Sequence, residues 1–165
     1  MPNNFIQLEF DGLRQALANI DQWSDQKLQN VKNAINESAL NIQTDAKRRT
    51  SPNVDTGRLR ASIAIEPASA DGLNLRVGTN VEYAPYLEWG TGIYASHPDI
   101  QGRRTPWAFP VSATSGRKHY NWPIMEINGE PHYITRGAKP HPFLFPAAEQ
   151  ERPNYYRNME EALRG

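Results

Sequence analysis

The sequence predicts an α+β fold: a small antiparallel β-sheet packed against a long helix in the N-terminal half and a C-terminal helix, with a long irregular or hairpin insertion. Three observations lead there. One apolar stripe steps by three or four through residues 28–46, two period-two runs flank Asp71-Gly72, and residues 93–131, rich in proline and glycine, keep no sustained period. At 165 residues the chain has the length of one domain with a two-layer core, read as a single domain over 1–165 with an extended loop or hairpin arm at about 93–131.

The elements follow in order. "FIQLEF" (5–10) alternates Ile6, Leu8 and Phe10 against Phe5, Gln7 and Glu9, a short strand closed by Asp11-Gly12, and Leu13, Leu17 and Ile20 predict a short helix after it. Ser24 is a candidate N-cap for the long helix, whose Leu28, Val31, Ile35, Ala39, Ile42 and Ala46 form one stripe. Lys47, Arg48 and Arg49 fall in its last turn, where cations complement the carbonyl end of the macrodipole, and Pro52 forbids continuation. "RASIAIEPA" (60–68) and "LNLRVGTN" (73–80) predict an antiparallel hairpin with Ala61, Ile63 and Ile65 facing inward against Leu73, Leu75 and Val77. Within 93–131, "WAFPV" (107–111) and "PIMEI" (123–127) are apolar patches and Asn128-Gly129 is a two-residue turn signal, so a hairpin excursion or arm is expected. "GAKPHPFLFPA" (137–147) leads into a last helix at about 145–163, with Pro146 near its first turn. Ala147, Ala148, Tyr155, Met159 and Leu163 would face the core, and Pro153 would kink or restart the helix.

Composition narrows the function. Lys plus Arg equals Asp plus Glu at 18 each, so no global field draws the chain to nucleic acid or an anionic membrane. The absence of cysteine excludes disulfides and thiolate metal sites, and no apolar run reaches the length of a membrane span; a soluble, intracellular protein is expected. Charge is nonetheless uneven. Residues 43–60 carry five basic and two acidic groups, 101–140 six and two, and 61–100 one and five, which leaves either solvated loops and a helix end or a phosphate-facing surface.

No active site is legible. His97, His119, His132 and His141 share no metal-ligand spacing, His97-x-Asp99 is a weak pair, and "HYN" (119–121) lacks the second histidine and carboxylates of a nuclease. Gly90-Thr91-Gly92 lacks the remainder of a dinucleotide or P-loop motif, and Glu82 and Glu88 carry almost no acid–base signal. The expectation is no catalysis, no metal and no cofactor. "VEYAPYLEWGTG" (81–92) fits an edge strand with Tyr83, Leu87 and Trp89 on one face, or a single helical turn with Pro85 at its start and Gly90 after its end; the turn is favoured. Its aromatics are expected to serve as core and subunit-contact residues rather than as a cofactor box.

Taken together, "AKRRTSPNVDTGRLRASI" (46–63), "VGTNVEYAPYLEWGTG" (77–92) and "KPHPFLFPA" (139–147) resemble the small neck or tail-completion proteins of long-tailed double-stranded DNA phages and prophages, often called tail components. The resemblance leaves out residues 93–131. It implies a non-enzymatic virion assembly protein that forms or completes the head-tail junction, leaves a channel for the genome, and is assembled in the host bacterial cytoplasm. The implied partners are further copies of itself in a ring, a hexamer first, together with tail terminator or tail tube and head-connector proteins, with passing contact to genomic DNA and none with membrane. Asp55, Thr56, Gly57, Leu59, Tyr83, Tyr86, Trp89, Gly90, Pro142 and Phe143 would be the subunit-contact or fold-motif residues. Lys47, Arg48, Arg49, Arg58 and Arg60 would face the DNA channel. A tail terminator capping the tube is the alternative, and a DNA-binding or DNA-processing protein a more distant one.

Overall fold

The computed structural model describes residues 6–9, 25–51, 57–98, 100, 103–113 and 121–164. The chain divides into two compact units: Met1–Glu82 with Phe143–Gly165, and Tyr83–Pro142.

The first unit is built on two helices, α1 (Asp25–Arg49) and α4 (Leu144–Arg164). α1 buries Val31, Ala34, Ile35, Ser38, Ala39, Ile42 and Ala46: the predicted stripe from Val31 onward, widened by Ala34 and Ser38, while Leu28 at its start is only half-buried. α4 buries Leu144, Ala147, Glu151, Tyr155, Met159 and Ala162, again at steps of three and four. The helices lie antiparallel. Lys27 Nζ near the start of α1 donates to Leu163 O at 3.5 Å, and Arg49 at the end of α1 donates to Gln150 Oε1 at 2.8 Å. Strands β1 (Ile6–Glu9), β2 (Ala64–Pro67) and β3 (Leu75–Thr79) form an antiparallel sheet in the order β1-β3-β2, with Leu8 and Ile65 both in register with Val77. α1 packs on β2 and β3, and α4 reaches β1, so the core lies between a helical layer and the sheet. Val31, Ile35, Ile42 and Val77 are at most 1% exposed, and each such side chain contributes about 1.5–3 kcal/mol of burial.

The α+β architecture is thus the one expected, with three local corrections. Residues 58–62 do not extend the hairpin: they form a short helix, α2 (Arg58–Ser62), and Ala61 is exposed while Leu59 and Ile63 are buried. The alternation Ala-Ser-Ile-Ala-Ile reads as strand, but Gly57, at φ +74, sets up a helical turn closed by Ala61 N–H to Gly57 O at 2.9 Å. Ser62 Oγ then bonds Leu59 O at 2.8 Å and the Thr79 hydroxyl at 2.6 Å, and strand geometry begins at Ala64. Secondly, α4 is continuous through Pro153, an exposed position, and neither stops nor restarts there. Thirdly, Ala148 and Leu163 are only half-buried, and Glu151 and Ala162 take core positions instead. The short helix expected at Leu13, Leu17 and Ile20, the Ser24 cap and the Pro52 stop lie outside the described residues.

The second unit carries helix α3 (Ala84–Trp89), 3-10 turns at Gly92–Tyr94 and Val111–Ala113, and strands β4 (Trp107–Pro110), β5 (Ile124–Ile127) and β6 (Glu130–Thr135). The strands form an antiparallel sheet in the order β4-β6-β5. Both apolar patches of the aperiodic stretch become strands. β5 and β6 are joined by Asn128-Gly129 with φ of 54° and 80°, the pair of positive values that a type I′ hairpin requires. Phe109, Trp122 and Tyr133 form a triangle with ring centroids 5.8, 5.9 and 6.3 Å apart, a small aromatic core on one face of this sheet.

Candidate subunit-contact surface

The segment "YAPYLEWGTG" adopts the helical turn, not the edge strand. Pro85 lies in the first turn of α3, where its missing N–H costs nothing, and Gly90 ends the helix at φ +77. α3 buries Ala84 and Glu88, leaves Trp89 half-buried, and exposes Tyr83 and Tyr86 by 45% and 53%. The two tyrosines are therefore not core residues of this chain. A six-residue helix has too little surface to bury four large side chains, and the small Ala84 takes the inner position.

Beyond α3 the backbone is clasped to the segment after β6. Thr91 N–H donates to Ala138 O at 2.9 Å, Ile93 N–H to Arg136 O at 3.0 Å, Ala138 N–H to Thr91 Oγ1 at 2.8 Å, and His141 N–H to Leu87 O at 2.7 Å. The approach is so close that a Cβ on Gly92 would lie 2.0 Å from Arg136 O, and one on Gly137 would lie 2.1 Å from Thr91 O. Gly90-Thr91-Gly92 is thus a packing device between two backbones. The clasp fixes the pedestal on which Tyr83, Tyr86, Ile93 and Tyr94 stand exposed.

Past the clasp, Trp89 and His97 stack with ring centroids 4.9 Å apart, and Ser96 returns both N–H and Oγ to Trp89 O at 2.9 Å. A pocket of about 410 Å³ opens here, lined by Gly92, Ile93, His97, Ile100 and Arg104 among others. The sequence offers His97 only the weak metal pair with Asp99, which lies outside the described residues. The signal missed was Arg103-Arg104, two cations six and seven residues beyond it.

The remaining predicted residues fall as follows. Asp55 and Thr56 lie outside the described residues. Gly57 has a positive φ, and Leu59 is 6% and Phe143 1% exposed, both in the first unit, whereas Pro142 is exposed. Lys47, Arg48 and Arg49 occupy the last turn of α1, and Arg58 and Arg60 are exposed on α2. Gln43 Nε2 donates to Ile63 O at 2.9 Å, which keeps the exit of α2 beside the C-terminal part of α1. Asp45 sits among these cations, ion-paired to Arg48 and to Arg49 Nε at 2.7 Å. Burial alone would raise its pKa, but the hydrogen bonds and charges of Arg49 and Arg48 outweigh this and hold it below the ordinary carboxylate value. The basic cluster is therefore partly neutralised from within.

Beside the Asp45–Arg48 pair, a shallow groove of about 350 Å³ runs between α1 and α4, lined by Asn41, Asp45, Arg48, Gln150 and Glu151 among others. Glu151 is 6% exposed and receives Asn41 Nδ2 at 3.1 Å and Asn154 Nδ2 at 3.2 Å. Among the described residues, no group of three or more His, Asp or Glu could hold a metal ion, and no helix is long and apolar enough to cross a membrane.

Residues 14–90 match a family model described as "Bacteriophage HK97-gp10, putative tail-component". The matched stretch runs from before α1 through α3 and stops at Gly90, so it takes in α1, strands β2 and β3 of the first unit and the exposed tyrosines, and leaves out β1 and α4. No curated protein and no solved structure matches the chain.

Proposed function

We propose, from the match of residues 14–90 to a model described as a putative bacteriophage tail component, that this chain is a structural part of the virion, a non-enzymatic neck or tail-completion subunit. Copies assemble into a ring at the head-tail junction, bind tail terminator or tail tube on one side and head connector on the other, and leave a channel for the genome. The observation that carries the contact role is the exposure of Tyr83 and Tyr86 on a helix whose ends are fixed by Pro85 and the glycine clasp. Rigidly mounted, half-exposed tyrosines suit protein contacts, because tyrosine brings large area at little entropic cost. Lys47, Arg58 and Arg60, with Arg48 and Arg49 tempered by Asp45, supply the charge for passing contact with duplex backbone, without base readout.

Electron microscopy of particles made without this protein tests the reading. Normal-length tails that fail to join heads are the expected result. Overlong tail tubes would instead assign the terminator role, and normal infectious particles would remove the chain from the junction altogether.

A further inference from the structure

Two features of the second unit remain without a role: an acidic hairpin tip and a basic pocket. The tip is the β5–β6 turn, where Glu126 and Glu130 flank Asn128-Gly129, both acids are exposed, and residues 124–132 contain no Lys or Arg. Ile124 and Met125 beside it are 60% and 51% exposed. The pocket is the one lined by Gly92, Ile93, His97 and Arg104. Exposed Arg103, Arg104, Arg136 and Lys139 gather in the segments around it, four cations against the single acid Asp99 in the sequence of that loop, and Ile93 and Tyr94 are 45% and 40% exposed at its side. Each feature combines uncovered apolar surface with a net charge, and the charges are opposite.

Their placement decides how they can meet. Ile93 N–H bonds Arg136 O, just past the C-terminal end of β6, while Glu130 begins β6. Trp107 on β4 pairs with Thr135 on antiparallel β6, and Arg104 lines the pocket with Gly92 and Ile93, at the end of the sheet remote from the tip. The six residue steps from Glu130 to Arg136 span about 20 Å of extended strand. Tip and pocket therefore occupy opposite ends of one sheet and cannot meet within a chain. Two complementary patches at opposite ends of a subunit are what a head-to-tail contact needs, and repetition of such a contact closes a ring when the rotation permits.

We propose that neighbouring copies of this chain join through this pair: the Glu126/Glu130 tip of one copy enters the Ile93/His97/Arg104 pocket of the next. This rests on the reading of the chain as a ring subunit and names the contact that would build the ring. Ile124 and Met125 then cover apolar surface at Ile93 and Tyr94, while the charges set partner orientation and speed encounter.

The chain has no cysteine, so a Glu130→Cys/Arg104→Cys variant is a clean probe. Arg104 lines the pocket with Ile93, at the Arg136 end of the sheet, so the two thiols stand at opposite ends of β6 and cannot pair within one chain, because a disulfide needs Cα atoms within about 7 Å. Assembled full-length protein, concentrated in solution and in purified particles, should give a ladder of disulfide-linked multimers on non-reducing gels, with each single variant giving dimers at most. In a second arm, Arg103→Glu/Arg104→Glu should weaken self-association about tenfold or more, and adding Glu126→Lys/Glu130→Lys in the same chain should restore it. Wild-type multimers together with no ladder and no charge-swap rescue would overturn the contact and leave the ring reading standing. A wild type that is monomeric both in solution and in particles would overturn both. If the Arg103/Arg104 variant self-associates normally yet is not incorporated into particles, the pocket holds another virion protein, and the proposal is wrong.

Discussion

A methyl group on Gly92 would have to occupy the space of Arg136 O, at a position whose φ is +61. Gly92→Ala should therefore lose about 3 kcal/mol or more, through overlap with backbone that cannot move without breaking the clasp. Gly57 is the control: its φ is +74, but nothing lies within 4 Å of an added Cβ, so Gly57→Ala should cost only about 1 kcal/mol. Equal losses by denaturant titration would show that conformation, not space, governs both sites. Asp45 gives a second test at this scale. Because its folded pKa is lowered, its ion pairs stabilise the fold above its unfolded pKa, and that gain is lost as pH falls through the folded value. Wild type should thus exceed Asp45→Asn by a few tenths to about 1 kcal/mol at neutral pH, as for other exposed pairs, with the gap closing below about pH 4. A gap independent of pH would mean that the carboxylate's charge is not what matters.

Among the elements, α1 is the most legible from sequence because one stripe fills one side of a long helix. Its face can be checked directly: Ile35, 1% exposed, becomes an unpaired buried charge in Ile35→Asp, which should unfold the first unit. Unchanged melting would mean that the stripe faces elsewhere. α2 was illegible because its turn depends on the positive φ of Gly57 and on the Ser62–Thr79 bond, neither of which leaves a periodic trace. Glu151 was missed because a carboxylate at a core position makes sense only once Asn41 and Asn154 are seen to hold it. Pro153 was overread. An exposed proline in a helix interior removes one backbone bond, yet packing along α1 keeps α4 whole. Pro153→Ala should accordingly raise stability by about 1–3 kcal/mol, measured by thermal unfolding; a loss would show that the proline shapes the helix for its neighbours.

For the whole molecule, the motifs that carried the resemblance have separable physical roles. "VDTGRLRAS" ends in a helical turn, "YAPYLEWGTG" mounts two tyrosines and locks a backbone crossing, and "KPHPFLFPA" delivers Phe143 and Leu144 into the core. The glycines and prolines were visible in the sequence; the reason for Gly90 and Gly92 was not, because, apart from Tyr94 O beside Gly90, the atoms they meet stand more than forty residues away at Arg136–Pro140. If the basic cluster at the end of α1 meets the genome, duplex binding by purified protein should be weak and steeply salt-dependent, and Asp45→Asn should strengthen it. Binding insensitive to salt would rule out backbone contact as its origin.

The pairing of α1 with α4 also sets an order of events during synthesis. Asn41 must wait for Glu151, 110 residues later, so even with β2 and β3 made, the side of α1 that packs on α4 stays uncovered while the whole second unit is translated. During that interval the half-made chain presents a sticky helix to its surroundings. A nonsense change anywhere before Leu144 would make that state permanent, turning a small assembly subunit into a substrate for chaperones and proteases.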